Sequence, residues 1–160
     1  MTPTTNDQLA RLIDLWHAGL EAQRTVVRQL EHIAEAQRDV TSSRDFETFH
    51  AISDTRDQLT RSLITLEDGL RPVRQTLLES RAQAAALAGY AGAAAMQQSI
   101  SAQVARILAT DRQSLDALAE AEVARRSVLA NLERGEATLN AYRRALSPPI
   151  AGAVLMNRKG

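Results

Sequence analysis

Apolar residues recur along this chain at alternating steps of four and three, a spacing that leaves little but long helices as a fold. Leu9, Ile13, Trp16, Leu20, Val27, Leu30 and Ala34 set the pattern, with Gln23 in its one polar slot. It predicts a coiled-coil-like helix over residues 6 to 39, with Thr5 or Asn6 as N-cap. The stretch TSSRD at 41 to 45 interrupts it, and Ser42 with Asp45 offers a capping-box start to the next helix. A second seam takes Phe49, Ile52, Leu59, Leu63, Leu66, Leu70, Val73 and Leu77. Gly69 and Pro72 fall inside it, which predicts a kink rather than a stop.

The next turn is expected at Gly89-Tyr90-Ala91-Gly92. Beyond it a third seam runs Val104, Leu108, Leu115, Leu118, Leu129, Leu132, Leu139 and Leu146, with charges at Asp111, Glu122, Arg125, Glu136 and Arg143. A helix of about 45 to 50 residues, about 70 Å long at the α-helical rise, is implied. So many charged seam positions suggest that part of this helix is packed by something outside the chain. Ser147-Pro148-Pro149 should end it, leaving an apolar and then basic tail. Long helices joined by short turns pair antiparallel. The expected fold is therefore all-α: an elongated antiparallel bundle of three long helices in one domain (1–149), followed by a flexible tail (150–160).

Composition narrows the functional classes. Basic and acidic residues balance at 19 each and interleave, so no field steers the chain toward nucleic acid. Arg125-Arg126 and Arg143-Arg144 lie close to acidic neighbours, which makes them solvated faces rather than phosphate sites. Without cysteine there are no disulfides, thiolate chemistry or cysteine-zinc sites. Residues 82 to 105 carry no charge, but their apolar centre, AAALAGYAGAAAM, is too short to span a bilayer. The opening MTPTTNDQLARL has no basic stretch followed by an apolar one, so a cytoplasmic location is expected, with no membrane insertion.

Catalytic leads are weak. Glu47-x-x-His50 has the spacing of a di-iron ligand pair, and Asp14-x-x-His17 is a cruder echo. The seams point all four toward solvent, and His32 lies among Glu31 and Glu35 as a solvated neighbour. The expectation is a chain that is not an enzyme and has no cofactor or metal site.

The segments "RDQLTRSLITLEDGLRPVRQTL" (56–77), "ILATDRQSLDAL" (107–118) and "LERGEATLNAYRRALSPP...MNRKG" (132–160) together resemble the bacterial flagellar export chaperones of the FlgN and FliT type. The likeness lies in Leu-containing heptads, a Leu/Asp stretch in the final helix, and a tyrosine (Tyr142) before a short apolar-to-basic tail. The abrupt Pro148-Pro149 and the rich Ala/Gly run at 82 to 96 depart from that pattern. The resemblance implies a cytosolic type III export chaperone. Such a protein binds amphipathic C-terminal helices of hook-filament junction or filament-cap proteins, prevents their premature assembly and hands them to the export apparatus. The expected partner-binding residues are Leu132, Leu139, Tyr142 and Leu146 on the last helix, then Ile150, Val154, Leu155 and Met156 in the tail. Two other readings stay open: a self-associating scaffolding coiled coil, with a homodimer, and a metal-binding ferritin-like bundle.

Overall fold

The computed structural model describes residues 4–156, and their side chains over 4–145. It is all-helical: α1 (Asn6–Ser42), α2 (Phe46–Glu79), the five-residue α3 (Arg81–Ala85) and α4 (Tyr90–Met156). The chain divides into two compact units, Met1–Ala117 and Leu118–Gly160. Among the described residues no helix is long and apolar enough to cross a membrane.

The first unit is built on α1. Its buried positions are Leu9, Ile13, Trp16, Leu20, Gln23, Val27, Leu30, Ala34, Gln37 and Thr41, an unbroken run of four-and-three steps. Thr5 caps it through a reciprocal capping box with Gln8. At the other end Arg44 adopts φ 61°, Asp45 N–H donates to the Val40 carbonyl and Arg44 N–H to that of Thr41. That is a Schellman closure with arginine where glycine is favoured. Asp45, not Ser42, is the N-cap of α2, accepting from Thr48 N–H at 3.1 Å. Ser42 instead ends α1, its hydroxyl turned back on the Arg38 carbonyl.

Cross-helix contacts fix the directions. Gly19 meets Leu70, Gln23 donates to Glu67, and Gln37 donates to Ser53, so α1 and α2 run antiparallel. Trp16 Nε1 donates to Gln97 at 3.1 Å, and Glu31 accepts from Gln103 and Arg106, so α1 runs in the same direction as the first part of α4. The second seam holds, with Leu70 and Leu77 buried and Leu59, Leu63 and Val73 packed against the core. Helix α2 passes through Gly69 and Pro72 as one element.

The third seam needs correcting. On α4 the buried line is Ala93, Ile100, Ile107 and Ser114, spaced by seven, with Val104 packed beside it. Leu108 and Leu115 lie one residue round from that line and are exposed. The turn is also displaced: Gly89 makes it with φ 87°, and α4 already begins at Tyr90. A Cβ on Gly89 would meet Ile13 Cγ2 at 3.3 Å, so both the backbone angle and the space call for glycine there. Helix α4 keeps its helical assignment to Met156, across Pro148 and Pro149, where the sequence predicts an end.

The polar residues in these seams are satisfied. Gln37 donates to Ser53 and accepts from Arg56 Nη1 at 2.7 Å, and Arg56 forks onto both carboxylate oxygens of Asp111 at 2.7 and 2.5 Å. One cluster thereby ties α1, α2 and α4 together, and the hydrogen bonds that Arg56 donates to Asp111 hold the Arg56 pKa above its usual value. Gln23 shares Glu67 with Arg74 in a second cluster. Burial works against the Glu67 charge, but the Arg74 and Gln23 bonds prevail and hold its pKa below the usual carboxylate value.

Candidate partner-binding face

The second unit contributes residues 118–145 with described side chains, all on α4. The stretch is rich in Ala, Leu, Arg and Glu, so helix propensity is high without any packing. At 3.6 residues per turn, Leu118, Leu129, Leu132 and Leu139 fall within a stripe about 80° wide. Leu118 is half-buried, whereas Leu129, Leu132 and Leu139 are 51%, 66% and 70% exposed. Val128 flanks the stripe and Tyr142 (64% exposed) lies about 60° beyond Leu139 on the same side; Val123 is on the opposite side. Isolated exposed leucines are ordinary, but several at heptad spacing form a ready-made seam.

Charges interrupt the stripe at Glu122, Arg125, Glu136 and Arg143. Arg125 forks onto Glu122 at 3.0 and 2.9 Å, and Arg126 reaches the same carboxylate at 3.0 Å. The Arg125 hydrogen bonds, joined by those of Arg126, pull the Glu122 pKa down to about 2. Glu136 has no ion-pair partner among the described residues.

Of the expected partner-binding residues, Leu132, Leu139 and Tyr142 share this exposed region. The side chains of Leu146, Ile150, Val154, Leu155 and Met156 lie outside the described residues. Leu118 and Leu129 belong to the face as well. Their heptad spacing from Leu132 and Leu139 was the signal that identifies them.

The catalytic leads stay apart. Glu47, His50, Asp14, His17 and His32 are all exposed, and no three of the described His, Asp or Glu residues gather as a metal site would require. His32 does edge an open apolar depression between α1 and α2, lined also by Arg28, Gln29, Ile33, Thr55 and Leu59. It brings no carboxylate to orient the imidazole and no activated nucleophile.

Comparison of the chain with protein families, with curated proteins and with solved structures finds no match.

Proposed function

We propose that this chain is a non-catalytic, helix-binding protein of the export-chaperone type. The observation that carries the reading is the heptad stripe of half-buried Leu118 and exposed Leu129, Leu132 and Leu139, with exposed Tyr142 beside it. Such a face gains by burying the apolar side of another amphipathic helix, about 1.5 to 3 kcal/mol for each large side chain fully covered. In this reading α1, α2 and the first part of α4 make the antiparallel three-helix bundle that the sequence predicts, and the rest of α4 does the binding. The resemblance to flagellar export chaperones supplies the class of ligand: C-terminal helices of hook-filament junction or cap proteins, held in the cytoplasm and passed to an export apparatus. The charges within the stripe then select helices of matching charge order rather than any apolar segment.

The test is a titration of the full chain with labelled peptides spanning such C-terminal helices. Saturable binding that is lost in Leu132→Asp supports the reading. Absence of binding to every such peptide, or binding indifferent to Leu132→Asp, contradicts it.

A further inference from the structure

We propose that the α4 stripe pairs with the same stripe of a second copy, antiparallel and in one register. The proposal deepens the binding role and rests on the face assigned there: the second copy covers that face while no other helix does.

The order of charges carries the inference. In a parallel pair every layer sets a residue against itself, so Glu122 meets Glu122, Arg125 meets Arg125 and Glu136 meets Glu136. Like charges opposed in successive layers oppose that arrangement. Running antiparallel, the seam has one alignment in which Leu129 faces Leu132 of the second copy while Arg125 faces its Glu136. The twofold axis repeats both pairs, so two leucine contacts at the centre are flanked by two opposite-charge contacts. In the same alignment Leu139 covers the stem of Glu122, and the aliphatic part of Arg143 lies over Leu118.

Neighbouring alignments fail. A shift of one heptad in one direction sets Arg125 against Arg143 and Leu132 against Glu136. The opposite shift sets Leu129 against Arg125 and Leu118 against Glu136. The local ion pairs are compatible with the favoured alignment. Glu136 has no partner to give up among the described residues, and if Arg125 turns toward it, Glu122 keeps Arg126 at 3.0 Å.

Charge reversal tests this with the purified full chain alone, so its outcome is separate from that of the peptide titration. Sedimentation equilibrium is run on the wild type, Arg125→Glu, Glu136→Arg and the double variant, with circular dichroism to verify equal helix content. Each single reversal should raise the dimer dissociation constant about tenfold or more, because the symmetry breaks two contacts at once. The double variant should restore it. A wild type that stays monomeric at all concentrations overturns the proposal, as does a dimer insensitive to the single reversals or a double variant no better than they are. A monomer that still binds substrate peptides would leave the stripe to those helices only.

Discussion

Gly19 of α1 packs directly against Leu70 of α2: a Cβ added at Gly19 would lie 2.7 Å from Leu70 Cδ1 and 2.8 Å from its Cγ. The absence of a side chain on α1 is what lets Leu70, only 6% exposed, fill the interface. Gly19→Ala gains about 1 kcal/mol of helix propensity but overpacks the site by about 1 to 3 kcal/mol. A net loss of about 1 kcal/mol is expected in urea unfolding. Combined with Leu70→Ala, the losses should total about 1 kcal/mol or more below their sum, because the smaller side chain relieves the clash. Stabilisation by Gly19→Ala would mean that the helices are not so close.

The Arg56–Asp111 pair joins α2 to α4 while Arg56 also serves Gln37 on α1. Both side chains retain about a quarter of their exposure (26% and 22%), so the pair is neither a surface pair nor a dry one. Arg56→Ala should cost about 1 to 3 kcal/mol, since it strands the Asp111 carboxylate and the Gln37 carbonyl oxygen together. Asp111→Asn in the Arg56→Ala background should then be nearly neutral, a coupling that a double-mutant cycle measures.

Arg44 holds a left-handed conformation, φ 61°, at the Schellman closure of α1. That conformation costs a non-glycine residue about 1 to 2 kcal/mol, part of which glycine recovers against its larger unfolded-state entropy. Arg44→Gly is therefore expected to raise stability by about 0.5 to 1 kcal/mol without changing helix content, whereas Arg44→Val should lower it.

Acid should loosen the first unit through its held carboxylates. Glu31 is lowered by its hydrogen bond from Gln103 and then by that from Arg106, and Glu67 is lowered, against burial, by Arg74 and Gln23. A depressed folded-state pKa contributes stability that is present above the unfolded value, near 4.5 for glutamate, and lost as pH falls through the folded value. Stability should thus be flat from neutral pH down to about 5 and fall below that. Glu67→Gln should flatten the acid limb while lowering the plateau.

The α1 seam was legible from Leu9 to Ala34, because strong apolar residues occupy most of its slots and Gln23 keeps the spacing, but not its continuation through the polar Gln37 and Thr41. The register of α4 was not. Leu115 outweighs Ser114 on hydropathy and Leu108 stands level with Ile107, yet the inward line is Ala93, Ile100, Ile107 and Ser114. Ala93 and Ser114 fit on that line beside Ile100 and Ile107 because α1 already supplies large side chains to the core. The Ser42–Asp45 ambiguity has a similar origin: either residue can cap, and only the Schellman closure at Arg44 decides which backbone turns. On the candidate face, Leu132 and Leu139 could be singled out from spacing and Tyr142 from the resemblance, but their exposure could not, since the same spacing also describes buried seams.

On the proposed function, the exposed leucines of the second unit serve recognition and not folding. Thermal unfolding of Leu129→Asp/Leu132→Asp beside the wild type, at about 1 μM to suppress the mass-action contribution of any dimer, tests it most directly. The account predicts a Tm within about 2 °C of wild type, because a charge placed on a solvated helix face leaves no buried group unpaired. A fall of about 10 °C or more, the signature of carboxylates forced into a core, would contradict it.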